Sequence, residues 1–587
     1  MIQQHADSPV QRATACRYRT APARSALMIT LLAALLLVAC GSSPQPPTVQ
    51  SGPTTLSTQA IGSQSTFITP AATSAPATAT SAPAATTANA SAIPKQGGAL
   101  RVAISQEPDQ LDPAKTILGV SNTVNELLYD RLVYLGSDGL PKPWLADSWT
   151  IDDGGKTLTF TLRRGLQFSD GTPLDAQAVK FSFDRFLDPK LASPSKALFG
   201  PLQAIEATDP RTVVFHFEQP YAPFFTSLGL GYGGIVSPTA VRQQGDAFGR
   251  HPVGSGSFVF EEWKSGSEIV LARNPTYQNL RTDGQNRGAP YLDQVVFTIL
   301  PDPATQLAAL ESGTVDVQLY SDAANVERLR QDSRYGVADW QTAPNVVFVE
   351  FAKKPLFADP NVRQAIGLAI DADALVKTAF RGYATRNPSP LPLGMAGWDD
   401  RIASFAYDSA KAKDLLAQAG WTQSANGMLQ KDGQPVSLTL LTFSGVAGLK
   451  SGAEIVQANL KQIGISVDIQ LVDIATFIQK LKSGEADLSL SAYGYSDPSM
   501  LSQVYKTPGW NNQYSDPELD AVLTRVDTTL DPQARQAAIK EAQQLIVRKT
   551  LSVPLLTFWY EAVYNSKAHG FTWDALGSPT WAEMWIE

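Results

Sequence analysis

The stretch that decides the fold reads Ser437-Leu-Thr-Leu-Leu-Thr-Phe443, a strand-like run of apolar and β-branched residues. A helical stripe at three- and four-residue steps follows and ends at Gly464; it consists of Ala453, Val456, Leu460 and Ile463. The next strand-like run is Ser466-Val-Asp-Ile-Gln-Leu471. Such a unit predicts two parallel strands joined by a right-handed crossover. We therefore expect an open α/β sheet.

Ligand sites of open α/β sheets lie at the carboxyl ends of the strands. A further strand is expected at Ala486-Asp-Leu-Ser-Leu490, and the loop after it reads Ser491-Ala-Tyr-Gly-Tyr-Ser-Asp-Pro498. This loop places the rings of Tyr493 and Tyr495 and the carboxylate of Asp497 at such an edge. We predict that these side chains face a ligand.

Residues from about 131 to 229 have a different pattern, which predicts a small sheet-bearing unit. Apolar residues alternate at Leu158, Phe160 and Leu162, and the same alternation recurs in the strand-like run that ends at Phe217. The segment Gly154-Gly-Lys-Thr157 is similar to the end of a phosphate-binding loop, but it lies between two strand-like runs. It is therefore expected to be a hairpin turn.

Motifs of common enzymes are missing from the chain. It contains no Gly-x-Ser-x-Gly and no His-Glu-x-x-His, and Gly229-x-Gly-x-x-Gly234 is followed by Pro238 rather than by a helix that opens at its last glycine. The cysteines are Cys16 and Cys40, and the histidines beyond residue 39 are isolated from one another, at positions 216, 251 and 569. We expect no enzyme, no cofactor and no metal site.

The amino-terminal segment predicts export. Four arginines precede an apolar run from Ala26 to Val38, which is too short to span a membrane and is typical of a secretory signal. The ending Leu37-Val-Ala-Cys40 resembles the bacterial lipobox, which implies a lipid on Cys40; the alternative is an ordinary signal peptide in which Cys40 is incidental. Residues 41–94 carry no charge and predict a disordered tether of about 40 Å.

Charge and length restrict the function further. Removal of residues 1–39, with four arginines and one aspartate, would change the net charge from −8 to −11. An acidic body is a poor partner for nucleic acid, which favours clustered Lys and Arg. The remaining body is longer than one core usually serves, so we expect two or three domains.

Sequence blocks beyond residue 95 occur in the order typical of one protein family. They include Gly97-Gly-Ala-Leu-Arg-Val102, Leu111-Asp-Pro113, Pro143-Trp-Leu-Ala-Asp-Ser-Trp149, Phe168-Ser-Asp-Gly-Thr-Pro173, Arg273-Asn-Pro-Thr-Tyr277 and Asp359-Pro-Asn-Val-Arg-Gln-Ala-Ile366. In these blocks the chain resembles the large solute-binding lipoproteins of ATP-driven importers, family 5, the oligopeptide/dipeptide/nickel-binding type.

The resemblance implies a periplasmic-binding-protein-like clamshell of type II in its large cluster C form. Two α/β lobes would be joined by crossing segments, with an extra sheet-bearing domain on the first lobe. The expected bounds are 1–39 for the signal, 40–94 for the tether, 95–130 with 230–318 and 552–587 for lobe I, 131–229 for the extra domain, and 319–551 for lobe II.

The resemblance also implies a function outside the cytoplasm. The protein would be a monomer, anchored to the bilayer through Cys40 at the outer face of the cytoplasmic membrane or in the periplasm. It would capture a peptide-like or other small organic solute between the lobes and deliver it to the permease subunits of an ABC importer. Two alternatives are a ligand-sensing lipoprotein for a signalling partner and a secreted lipoprotein hydrolase.

Peptide-binding members of the family carry Gly-Trp-x-Ala-Asp-Tyr-x-Glu/Asp-Pro where this chain has Ala492–Pro498. Their first Asp binds the terminal ammonium of the peptide, and it has no clear counterpart here. Either Ser496 or Asp497 supplies a polar group, or neither does. This departure disfavours an ordinary peptide ligand, because a buried cation without a carboxylate is costly to bind.

Further cleft candidates are aromatic. Phe348 lies on a strand that enters the second lobe, Trp398 lies in a Gly-rich loop, and Phe443 ends a strand. The alternative for each of these three is a position in a core. Jointly, Trp398, Tyr493 and Tyr495 suit a sugar ring or an apolar or aromatic group better than a bare ion.

Overall fold

The computed structural model describes residues 93–321, 323–403, 405–507 and 516–587. The predicted signal, lipid-bearing Cys40 and nearly all of the tether lie outside the described residues. Within those ranges no helix has the length and apolar character needed to cross a membrane.

The strands of the described chain form two large mixed sheets, one four-stranded sheet and several small ribbons. Their bounds are β1 (Ala99–Ile104), β2 (Val133–Leu135), β3 (Pro141–Pro143), β4 (Ala146–Asp152), β5 (Thr157–Leu162), β6 (Leu202–Asp209), β7 (Thr212–Phe217), β8 (Phe258–Lys264), β9 (Glu268–Arg273), β10 (Gln294–Ile299), β11 (Val317–Gln318), β12 (Tyr335–Trp340), β13 (Asn345–Phe351), β14 (Ala384–Arg386), β15 (Trp421–Gln423), β16 (Leu429–Lys431), β17 (Gln434–Pro435), β18 (Ser437–Phe443), β19 (Ser466–Val472), β20 (Leu488–Gly494), β21 (Ser552–Phe558), β22 (Tyr560–Asn565), β23 (Ala568–His569) and β24 (Trp585–Ile586).

Helices cover the faces of these sheets. Their bounds are α1 (Gly119–Leu128), α2 (Ala176–Leu187), α3 (Phe224–Gly229), α4 (Pro238–Gln244), α5 (Pro303–Ser312), α6 (Ala323–Leu329), α7 (Pro360–Ala369), α8 (Ala372–Ala374), α9 (Ser409–Gln418), α10 (Leu449–Gln462), α11 (Ile474–Ser483), α12 (Met500–Tyr505), α13 (Pro517–Thr528) and α14 (Pro532–Arg548).

Each large sheet is the centre of one lobe. The first has the order β12-β22-β11-β1-β10-β9-β8, and β1 runs parallel to both β10 and β11. The second has the order β14-β21-β13-β20-β18-β19, and β18 runs parallel to β19 and β20. The antiparallel sheet β4-β5-β7-β6 and helices α2 and α3 share a separate core. This core belongs to the predicted extra domain.

The predicted strand-helix-strand unit is confirmed. Strands β18 and β19 pair in parallel from Ser437 opposite Ser466 to Phe443 opposite Val472, and α10 connects them. The predicted helical stripe is buried in the core of the second lobe. The periodicity that was visible in the sequence therefore corresponds to the side of the helix that packs on the sheet.

The boundary between the lobes differs from the expected one. Strand β12 was expected in lobe II, but it pairs with β22 in the first sheet, and β21 lies in the second sheet rather than in lobe I. The chain therefore crosses between the sheets at residues 341–344 and at Trp559. Because β21 and β22 form one nearly continuous extended run, no turn signal in the sequence shows where the second crossing occurs.

Candidate ligand-binding cleft

The first lobe presents a group of aromatic rings beside the crossing segments. Trp340 ends β12, Tyr560 begins β22, and their ring centroids are 5.9 Å apart. Trp573 stacks on Trp340 at 5.9 Å with an interplanar angle of 21°, and Tyr320 stacks on Trp573 at 6.1 Å. These four rings were not among the predicted site residues. They lie where the two lobes meet, and we call them the first aromatic wall.

Tyr320 is the member of this wall that is most open to solvent. It follows β11 at a carboxyl strand end, it is 53% exposed, and its φ of 55° is left-handed. A bulky residue in that region carries backbone strain, and strain of this kind concentrates at functional sites. The exposed ring and its strained backbone make Tyr320 a candidate ligand contact.

The second lobe contributes Tyr493 and Trp398, which are both only partly buried. Strand β20 extends through Gly494, so Tyr493 lies on the strand rather than in a loop, paired with Val346. The Tyr493 hydroxyl donates to Glu350 Oε2 at 3.1 Å, and the Trp398 indole donates to Asn387 Oδ1 at 3.2 Å. Both rings pack on one apolar cluster and form what we call the second aromatic wall.

Of the other predicted aromatic residues, two support this wall and one lies elsewhere. Phe348 and Tyr495 are buried in the cluster under Tyr493 and Trp398, and the Phe348 ring is 5.0 Å from that of Tyr493. Phe443 is buried in the other core of the second lobe, 4.9 Å from Phe477. The structure therefore brings Phe348, Tyr493, Tyr495 and Trp398 together, and leaves Phe443 apart from them.

The two polar residues at the end of the predicted loop, Ser496 and Asp497, differ in their exposure to solvent. Ser496 is exposed, whereas Asp497 is only 6% exposed. Asp497 accepts hydrogen bonds from Arg535, from the Ser499 backbone at 2.8 Å and from Thr226 Oγ1 at 2.7 Å. Burial raises the pKa of this carboxyl, but Arg535 and the hydrogen bonds more than offset that effect and keep the pKa below its usual value.

Asp497 also joins the two halves of the molecule. Thr226 lies on α3, whose apolar side chains belong to the core of the extra domain, while Arg535 lies on α14 of the second lobe. Nearby, the Ala222 backbone donates to the Asp527 carbonyl at 2.8 Å, and Leu530 packs on the same core. The extra domain and the second lobe are therefore in contact on this flank of the cleft.

Glu350 is a buried carboxyl behind the second wall that the sequence reasoning missed. Its Oε2 accepts from Ser489 at 3.0 Å, from Ser491 at 2.7 Å and from Tyr493, while Oε1 has no hydrogen-bond partner among the described residues. Burial raises the pKa of Glu350 to about 7. The available signal was one acidic residue in the apolar run that follows Asn345 in β13.

In the parts of the chain that the structure describes, His, Cys, Asp and Glu side chains form no group of three or more that could hold a metal ion. The walls instead offer ring faces and hydroxyl groups, which suit an organic ligand.

Comparison with known proteins identifies the family. The model of the bacterial extracellular solute-binding proteins, family 5, middle region, matches residues 141–515. The probable D,D-dipeptide-binding periplasmic protein DdpA of Escherichia coli K12 is 28% identical over 505 residues, which cover 83% of this chain and 93% of DdpA. Heme-binding protein A of Haemophilus influenzae is 29% identical over 510 residues, with 81% and 89% coverage.

Solved structures confirm the predicted α/β clamshell. NikA from Brucella suis, in complex with Fe(III)-EDTA, has a TM-score of 0.73 and 25% identity, and the match covers 84% of this chain and all of NikA. HbpA2 from Haemophilus parasuis also has a TM-score of 0.73, at 22% identity and the same coverage.

Proposed function

Since this chain belongs to the bacterial extracellular solute-binding proteins of family 5, we propose that it captures a small organic solute between its two aromatic walls and delivers it to the permease of an ATP-driven importer. The chain is an extracytoplasmic binding protein and not an enzyme. Similar proteins are named for different ligands, a D,D-dipeptide for DdpA and heme for heme-binding protein A, so the family alone does not select the solute.

The proposed class of ligand rests on two observations: the aromatic rings of the walls are accessible to solvent, and the carboxylates near them already accept hydrogen bonds from other residues. Tyr320 on the first wall and Tyr493 and Trp398 on the second remain partly or largely accessible. The acids next to them in the chain already have partners: Asp497 accepts from Arg535, and Asp399 accepts from Arg401 and Gln544. We therefore favour a ring-bearing solute that does not rely on Asp497 to bind an ammonium group.

Capture requires a change in the separation of the lobes. In the described part of the chain, the two crossings between the lobes are short extended segments, which is the geometry of a hinge. The Thr226–Asp497 hydrogen bond joins the extra domain to the second lobe and therefore contributes to the closed arrangement. A ligand that contacts both walls shifts the population towards closure, because only the closed form supplies both sets of contacts.

The proposal includes attachment to the membrane. Cys40 would carry the lipid, and residues 41–94 would act as a tether of about 40 Å. A receptor that returns repeatedly to one membrane transporter benefits from such a restraint, because the tether keeps its local concentration high. Metabolic labelling with a radioactive fatty acid tests this step, with Cys40→Ser as the variant that should lose the label.

The ligand itself can be identified from the purified protein. Native mass spectrometry of the protein before and after mild denaturation reports the mass of any solute that co-purifies. Calorimetry with that solute should then show binding at least about tenfold weaker for Trp398→Ala and for Tyr320→Ala. Tyr407→Ala is the matched control, since Tyr407 is an exposed ring on the second lobe outside both walls. Unchanged affinity in both wall variants would contradict the proposed site.

A further inference from the structure

A cavity of ≈ 440 Å³ lies in the first half of the molecule and borders the first aromatic wall, because Thr572 and Asp574, the chain neighbours of Trp573, are among its lining residues. Most of its lining residues come from three segments: the junction of α1 with the extra domain, the loop around residues 277–291, and the carboxyl-terminal stretch 570–585. No residue of the second lobe is among its described lining residues. The cavity is therefore built without the second lobe, and its volume is within the range of small-molecule sites.

Two arginines and four acids line this cavity: Arg131 and Arg281, with Glu126, Asp283, Asp574 and Glu583. The Arg131 side chain is 4% exposed, and its Nη1 is 3.7 Å from Glu126 Oε1, beyond hydrogen-bond distance. Arg281 donates to Asp283 through Nε and Nη2, and its Nη1 is 3.6 Å from Asp574 Oδ2. The Arg131–Glu126 and Arg281–Asp574 pairs are thus held by charge attraction without a direct hydrogen bond, whereas Asp283 is hydrogen-bonded to Arg281.

Arg131 is the least satisfied of these groups. Its Nε and Nη1 have no hydrogen-bond partner among the described residues, although the side chain is buried. Burial lowers the pKa of Arg131 and raises the pKa of Glu126, because the charged form of each group is costly in the interior. A ligand that brings a carboxylate to the arginine and a cation to the acid would reduce both costs.

Aromatic side chains form the rest of the walls. Trp144 packs under the guanidinium of Arg131 at 4.6 Å, and Trp581, Trp585 and Tyr277 add further apolar surface. The indole Nε1 atoms of Trp144 and Trp581 also have no acceptor among the described residues. An apolar group with nearby hydrogen-bond acceptors fits this lining.

We propose that this cavity is a second binding site, for a zwitterionic α-amino acid with an aromatic or large apolar side chain. The ligand carboxylate lies towards Arg131 and Arg281, and its ammonium lies towards Glu126 and Asp574. The carboxylate would supply acceptors to the unpartnered Nε and Nη1 of Arg131, and the ammonium would offset the excess of acids in the lining, so a zwitterion meets both needs whereas a ligand with one charge meets only one. The inference does not rest on the function proposed for the cleft.

Calorimetry on the full-length protein tests the site with three probes that share one ring: L-phenylalanine, 3-phenylpropionate and phenethylamine. L-Phenylalanine should bind, and the two probes that lack one charge should bind at least about tenfold more weakly. Equal binding of all three probes, or no binding of L-phenylalanine at millimolar concentration, would overturn the proposal.

Two variants assign the binding to this cavity. Glu126→Gln removes one buried charge, and Thr572→Trp fills the cavity from an exposed lining position without removing a charge, so it remains informative if the first variant does not fold. Both should abolish binding of L-phenylalanine, whereas Trp398→Ala should leave it unchanged. Loss of binding in Trp398→Ala with full binding in Thr572→Trp would place L-phenylalanine in the cleft and overturn the second site.

Discussion

Arg535 donates two hydrogen bonds to Asp497, from Nη1 at 3.1 Å and from Nη2 at 2.5 Å, and both side chains are largely buried. This bidentate pair occupies the acid three residues after β20, and Thr226 adds a third side-chain hydrogen bond from the other half of the molecule. Asp497 is therefore held in place by Arg535 and Thr226, and the sequence alone does not show these partners.

Asp497→Ala should destabilise the protein strongly. Removal of the carboxylate leaves the Arg535 guanidinium buried without its partner, and breaking a buried pair costs about 3–5 kcal/mol. Chemical denaturation followed by circular dichroism measures the free energy of unfolding. Glu541→Ala is the matched control, because Glu541 pairs with Arg525 on the same helical layer but at the surface. Its loss should cost below about 1 kcal/mol. Equal costs for the two variants would contradict a structural role for Asp497.

Thr226→Val should weaken ligand binding while it leaves the lobes folded. The substitution keeps the volume and removes the hydroxyl that donates to Asp497 across the lobes, so about 0.5–1.5 kcal/mol of closure energy is lost. Calorimetry with the co-purified solute should show this as a several-fold loss of affinity, and small-angle scattering should show a more open unliganded protein.

Thr524→Val controls for this change, since the Thr524 hydroxyl donates only within its own helix, to the Asp520 carbonyl. Its affinity and scattering profile should match those of the wild type. If both valine variants bind like the wild type, the Thr226 hydrogen bond does not contribute to closure.

Glu350 should make stability depend on pH. Its pKa is raised from 4.5 to about 7, so the folded protein holds this proton more tightly than the unfolded chain. The resulting contribution to stability is complete below about pH 4.5 and is lost as the pH rises to about 7. Glu350→Gln removes this contribution, and its stability relative to the wild type should rise by about 3 kcal/mol across that interval. Denaturation at several pH values measures the difference, and a constant difference would refute it.

The sequence indicates local structure well and tertiary partners poorly. Strands β18 and β19 and helix α10 were predictable because alternation and helical periodicity are properties of neighbouring residues. Tyr493 was predicted near a cleft from the carboxyl end of a strand and Trp398 from a Gly-rich loop, and both placements stay predictions. Tyr320 and Trp573 were missed because they are 253 positions apart, and only the folded sheet order brings their rings together.

The partners of the buried acids were missed for the same reason. Thr226 and Asp497 are separated by 271 positions, and Glu350 meets Ser489 and Ser491 only through the pairing of β13 with β20. The predicted lobe boundary was wrong for a different reason. At Trp559 a short extended segment connects the two sheets, and no glycine or proline marks the crossing. Periodicity reports which face of an element is buried, but not which distant element covers it.

Gly577→Ala should disturb the first aromatic wall. Gly577 has a φ of 80°, and a Cβ placed on it would lie 1.8 Å from Cζ3 of Trp340. The Trp340 ring would have to move, which should cost about 1–3 kcal/mol of stability beyond backbone strain and weaken solute binding. Gly266→Ala is the control for strain alone, because Gly266 has a φ of 71° and no atom within 4 Å of the added Cβ. Denaturation and calorimetry on both variants separate the two effects: equal stability and affinity would show that the packing of Trp340 against Gly577 does not shape the wall.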